Sequence, residues 1–146
     1  MKELLIAASV FAMITRSSSA LVGENESQIT KRYGASIGDI PTETFGKVRG
    51  FMGVGYVVGV AFVGGVSSME MFSKADQSAM SAVEIETLLK ANGADPWKSE
   101  KSNKADWKRW GRDDGSLIAL YDAKRHFLYI NSKTYYESQN KKAGKE

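Results

Sequence analysis

The sequence predicts an α+β fold: an antiparallel sheet of about six strands in two meanders, with short helices packed on one face, in the order helix-βββ-helix-βββ-helix. Three observations carry this. Residues 51–72, FMGVGYVVGVAFVGGVSSMEMF, alternate bulky and small side chains and then turn at a glycine pair. Residues 81–93, SAVEIETLLKANG, form a helix with start and stop signals in place. Beyond it, SLIALY and HFLYIN are short apolar runs separated by turn residues, the pattern of a meander.

A chain of 146 residues suits one domain with one core, and 42% hydrophobic with 25% charged residues are the proportions of a globular protein. A net charge of +3 does not by itself call for nucleic acid or a membrane surface. Residues 1–20, MKELLIAASVFAMITRSSSA, have the parts of an export signal: Lys2 near the start, an apolar run from Leu4 to Ile14, and small Ser18 and Ala20 where a signal peptidase needs them. Cleavage is expected after Ala20, which makes the protein secreted or periplasmic and leaves residues 21–146 as a single α+β domain. The apolar run is shorter than the roughly 20 residues that a membrane-spanning helix needs. Losing Lys2, Glu3 and Arg16 leaves 18 basic and 16 acidic residues, a net of +2. The chain has no cysteine, which excludes a disulfide framework, a thiolate metal site, a cysteine nucleophile and a lipid-modified N-terminal cysteine.

The elements follow in order. NESQITKRYGAS reads as a short helix, with Asn25 and Gln28 forming a capping box and Gly34 as terminator. Ile29 and Tyr33, four apart, share one face. A loop is expected through Asp39, Pro41 and Thr42, then a strand over 45–52 and a turn near Gly53. In the next stretch Val54, Tyr56, Val58, Val60 and Phe62 alternate with Gly55, Val57, Gly59 and Ala61, as a strand requires. Gly64 and Gly65 make a two-residue hairpin turn. An unbroken ladder from that turn pairs Phe62 with Ser67, Ala61 with Ser68, Val60 with Met69, Gly59 with Glu70 and Val58 with Met71. Ser81 and Glu84 box the start of the next helix, Asn92-Gly93 close it, and Val83, Ile85, Leu88 and Leu89 give its apolar face. DWKRW begins a strand, Asp113-Asp114-Gly115 turn it into SLIALY, and Asp122 to Lys124 turn again into HFLYIN. A last helix starts at Ser132.

Residues 51–69 hold no charge and include a Gly55–Gly59 GxxxG pair, so a membrane protein spanning at 51–69 is an alternative. Against it stand the β-branched and aromatic content, the lack of Leu and Ile, and glycine's cost of about 1 kcal/mol per helical site. GVGYVVG fits neither GxxxxGK[ST] nor GxGxxG, so no phosphate loop is read here.

His126 is the only histidine, which rules out a multi-histidine metal site. No cofactor motif is present, and neither a cofactor nor a metal is expected. A small hydrolase using His126 with an aspartate, from Asp113, Asp114 or Asp122, is the enzymatic alternative. No GxSxG elbow exists. The constellation that stands out is basic and aromatic: Lys98, Lys101, Lys104, Lys108, Arg109 and Arg112 interleave with Trp97, Trp107 and Trp110. Aromatic platforms with cations suit glycans, anionic polymers or single strands of nucleic acid, and export disfavours nucleic acid. The candidate binding residues are therefore Trp97, Trp107, Trp110, Lys108, Arg109 and Arg112.

VAFVGGVSSMEMFSK, IETLLKANG, DDGSLIALYD and LYINSKTYYESQN resemble a group of small exported bacterial proteins of uncharacterised role. More distantly, the layout is similar to the beta-lactamase-inhibitor-protein architecture and to the related small outer-membrane assembly lipoproteins. The resemblance implies a binding or scaffold domain rather than an enzyme, although this chain lacks the lipidated cysteine of the lipoproteins. The expected function is an exported non-enzymatic domain that binds a protein or cell-envelope component.

Overall fold

The chain runs α1 (Glu26–Tyr33), β1 (Gly38–Thr42), β2 (Gly46–Met52), β3 (Tyr56–Val63), β4 (Val66–Lys74), α2 (Ala82–Ala91), β5 (Trp97–Glu100), β6 (Trp107–Arg112), β7 (Leu117–Asp122), β8 (Phe127–Ser132) and α3 (Lys133–Ala143). This is a computed structural model, and it describes residues 22–43, 45–93 and 95–144. All the strands join one antiparallel sheet in the order β1-β2-β3-β4-β8-β7-β6-β5. Each half is a helix followed by a four-strand meander, and the halves meet where β4 pairs with β8. The expected export signal, residues 1–20, lies outside the described residues.

The α+β class and the single antiparallel sheet agree with the sequence; the count of about six strands is corrected to eight among the described residues. The two extra strands, β1 and β5, are the outer edges. β1 contains Pro41, which cannot donate to a ladder, and β5 is only WKSE. Sheet edges are kept short, charged and proline-bearing against stray pairing, and those same features erase the strand signal.

Both capping boxes form. Asn25 Oδ1 accepts from Gln28 N while Gln28 Oε1 accepts from Asn25 N, and Ser81 and Glu84 repeat the exchange. On α2, Ile85 and Leu89 are buried and Leu88 is half-buried, but Val83 is 72% exposed. Two residues from Ile85, Val83 lies about half a turn around the helix, outside the face it was expected to share. The spanning helix considered for residues 51–69 is overturned: these residues form the end of β2, all of β3 and the start of β4. Among the described residues no helix is long and apolar enough to cross a membrane.

The Gly64-Gly65 hairpin pairs Phe62 with Ser67 as expected, but an extra residue on β4, Ser68, then bulges opposite the Ala61–Phe62 step and shifts the register. Ala61 faces Met69, Val60 faces Glu70, Gly59 faces Met71 and Val58 faces Phe72. A one-residue slip moves every following side chain to the other face. Met69 and Met71 therefore fill the space over Gly59 and Ala61, and Glu70 and Phe72 turn in beneath the helices. Gly59 is needed there, because a Cβ would lie 2.8 Å from Val48 Cγ2 and 3.0 Å from Met71 Cε.

Beneath α1 and α2 the sheet buries Phe51, Val58, Val60, Phe72, Leu128 and Ile130 against Ile29, Ile85 and Leu89. Full burial of such side chains stabilises by about 1.5–3 kcal/mol each. The opposite face has its own core of Val48, Met69, Met71 and Tyr129, covered by Tyr135 of α3. The expectation of helices on one face is thus corrected for α3. The apolar face that the bulge creates with Met69 and Met71 needs cover, and α3, capped by Ser132 Oγ at the end of β8, supplies it.

Candidate functional site

A groove of about 610 Å³ opens between α2 and the β5–β6 edge. Its apolar wall is Ile85 and Leu89 of α2; its floor is Trp97 of β5 and Trp110 of β6. Strand register explains the floor. Trp97 pairs with Arg112, Ser99 with Trp110, and Trp110 with Ala119, so these side chains share the helix-covered face. Trp97 is also held from above: its Nε1 donates to the Leu89 carbonyl at 2.8 Å, satisfying one of the acceptors that a helix C-terminus leaves unpaired. The rim carries both signs of charge. Glu86 and Lys90 pair with each other one turn apart at 3.0 Å, and Asp95 and Lys108 are exposed.

Arg112 closes one end. Its Nη1 donates to the Asn92 carbonyl at the end of α2, and its Nε and Nη2 grip Asp114. The Arg112 guanidinium and two donors from Ser116 hold the Asp114 carboxylate well below its usual pKa range. This is a brace between the helix end and the β6–β7 turn.

Of the six residues singled out from the sequence, the groove gathers Trp97, Trp110 and Lys108, with Arg112 at its end. Trp107 and Arg109 lie on the opposite face. Trp107 stacks on Tyr129 with ring centroids 5.9 Å apart, and Lys104 Nζ sits 4.9 Å from its centroid. Arg109 donates to Glu100 at 2.7 Å and to the Tyr136 hydroxyl at 2.9 Å, fastening α3 to the sheet. Strand alternation divides the basic-aromatic stretch between two surfaces. The α2 wall of the groove escaped the sequence reading, since Ile85 and Leu89 look like plain core residues.

His126 is in the β7–β8 turn with a left-handed φ of 63°, and its Nδ1 lies 3.0 Å from the Gln77 carbonyl. Asp122 is committed elsewhere: it accepts from the amides of Lys124 and Arg125 and from the Arg125 guanidinium. Asp113 and Asp114 belong to the turn at the other end of β7. A smaller hollow of about 180 Å³ on the α3 side lies among Ile40, Phe45, Met71, Phe127 and Tyr129, with the Glu43–Arg125 ion pair beside it. Burial pushes the Tyr129 phenol up to about 12. Among the described residues no group of three or more His, Cys, Asp or Glu side chains is placed to hold a metal.

Fold and groove together define a small α+β domain with one antiparallel sheet and an aromatic-floored hollow under its second helix. No protein-family model matches the chain, and no curated protein matches it. Among solved structures, a cysteine-rich secretory protein from Staphylococcus aureus subsp. aureus Mu50 is similar at 12% identity and a TM-score of 0.43. The likeness covers 79% of this chain and 46% of that one, so this chain spans less than half of that protein's length.

Proposed function

We propose that the protein is an exported, non-enzymatic domain that takes an apolar segment of a protein or cell-envelope partner into the groove between α2 and β5–β6. The observation that carries this reading is the groove: two tryptophans beneath a helix, one of them hydrogen-bonded to the helix end, with a charged rim around them. Aromatic anchors in a water-excluding hollow are where binding energy concentrates. The layout's distant resemblance to inhibitor and scaffold domains supports the same class of work, and the signal-like residues 1–20 support export with cleavage after Ala20.

The test uses tagged full-length protein in a bacterial host, fractionated, weighed by intact mass and cross-linked in the envelope. Ser99 faces Trp110 across the β5–β6 ladder, so Ser99→Trp fills the groove. Soluble protein lighter by residues 1–20, with a cross-linked partner kept in His126→Ala and lost in Ser99→Trp, is the expected result. Cross-linking indifferent to Ser99→Trp removes the groove reading. A hydrolytic activity lost in His126→Ala alone replaces it with the enzyme, and uncut protein that resists alkaline extraction removes the export reading.

A further inference from the structure

A polar cluster under α1 takes no part in the groove. Arg32, in the last turn of α1, makes a two-pronged hydrogen bond to Glu24, just ahead of the helix. Tyr33 donates its hydroxyl to Glu70 Oε2 at a long 3.5 Å. Glu70 itself is fully buried, and its Oε1 has no hydrogen-bond partner. The β4 bulge is what turns this side chain inward.

The surroundings of Glu70 set its charge. From α1 it faces Arg32 and Tyr33, from the segment before α1 it faces Glu24, and on the neighbouring strands its cross-strand partners are apolar Val60 and Ile130. Arg49, further along the same row on β2, is turned outward in an ion pair with Glu26. One guanidinium thus faces two carboxyl groups and is already engaged by Glu24. A second carboxylate would be a buried charge without a partner, the costliest state a side chain can hold. A neutral carboxylic acid fits. Burial pushes the Glu70 pKa up to about 8 and also raises that of the Tyr33 phenol, so Tyr33 contributes a proton donor and no charge.

The piece of chain above Glu70 is held by this cluster, by Val22 and Ile29 in the core, by Tyr33 against Phe51, by the Arg49–Glu26 ion pair and by short backbone ties. Gly23 N donates to the Ser67 carbonyl, Ser67 N to the Glu24 carbonyl, and Val22 N to Asn92 Oδ1. We infer that Glu70, Glu24, Arg32 and Tyr33 form a proton-dependent latch: while Glu70 is neutral, α1 and residues 22–25 stay seated on the sheet, and when Glu70 ionises this cap loosens ahead of the rest of the fold.

The sign follows from linkage. An unfolded glutamate titrates near 4.3, roughly, and the folded one near 8. The stabilisation is fully present below the unfolded value, falls as pH rises between the two, and stops falling above the folded value. At its steepest, one retained proton changes the folded-to-unfolded ratio about tenfold per pH unit.

Amide hydrogen exchange of the wild type between pH 6 and 9, corrected for intrinsic base catalysis, reads the latch directly. The amides of α1 lose protection as pH rises while those of α2 keep theirs. Equal change in the two helices, or none in α1, overturns the inference. Urea midpoints of wild type and Glu70→Gln over the same range supply the second arm. The wild-type midpoint falls from pH 6 to about 8 and then levels while the variant's stays level throughout, so the variant gains on the wild type over that interval. Parallel profiles overturn the assignment to Glu70. Should Glu70→Gln fail to fold, Glu70→Met, an apolar side chain of similar length, carries the same comparison.

Discussion

In the first half of the molecule, α1 covers its meander with Ile29 and Tyr33 and seals a cluster of Glu24, Arg32 and Glu70. In the second half, α2 covers its meander with Ile85 and Leu89 and leaves open a groove floored by Trp97 and Trp110. The plan is the same in both, one helix and four strands, and the strand order reads alike from either edge. At the joint the contrast comes down to one pair: Glu70 of β4 lies directly across from Ile130 of β8. A shared architecture thus fixes neither the chemistry under a helix nor whether the helix closes. The closed half stores a titratable group; the open half offers apolar surface.

That contrast is breakable at the joint. Ile130→Glu copies the acid into the second half without an Arg32 to answer it, and stability measured by urea unfolding at pH 7 should drop by about 4 kcal/mol. A drop under about 1 kcal/mol would mean that the joint accepts an acid from either side and that the first-half cluster is not special. Next in size is the last turn of each helix. Arg32→Met leaves the nearly buried Glu24 unpaired and should cost about 3 kcal/mol. Lys90→Met on α2 breaks a pair whose partners are 73% and 64% exposed, and should change stability by less than about 0.5 kcal/mol. Similar losses from the two variants would erase the difference between a sealed and an open cap. The smallest effect sharpens what the halves share. Asn25→Ala and Ser81→Ala remove equivalent capping boxes, and each should cost about 1 kcal/mol in thermal unfolding. A clearly larger loss at Asn25 would show that α1 depends on its cap more than α2 does and that the two boxes are not equivalent.

Much of this fold was legible in order along the chain. Asn25 with Gln28, Ser81 with Glu84, and Ser132 each announce a helix start within four residues, because a cap satisfies its own nearby amides. Gly64-Gly65 announces its hairpin for a similarly local reason: both glycines have positive φ, which other residues adopt only at a cost. The candidate site was half legible. Trp97, Trp110 and Lys108 stood out by residue type, and alternation along DWKRW sets Trp107 and Arg109 opposite Lys108 and Trp110. Yet nothing in WKSE and DWKRW says that Trp97 shares the face of Trp110, or that α2 covers that face, until the β5–β6 register and the helix packing are known.

By itself, then, the sequence determined the α+β class, the helix ends, the glycine hairpin and the C-terminal meander, all written in contacts a few residues long. The tertiary structure alone decided that Gly38–Thr42 and Trp97–Glu100 are strands, since an edge strand takes its identity from the one neighbour that pairs with it. It decided the β4 bulge, and with it the face on which Glu70, Met69 and Met71 fall, since a ladder's register is set by packing on both sides of the sheet. It also decided the side on which α3 lies and the meeting of α2 with two tryptophans from later strands. These are contacts between segments far apart in the chain, and no local pattern carries them.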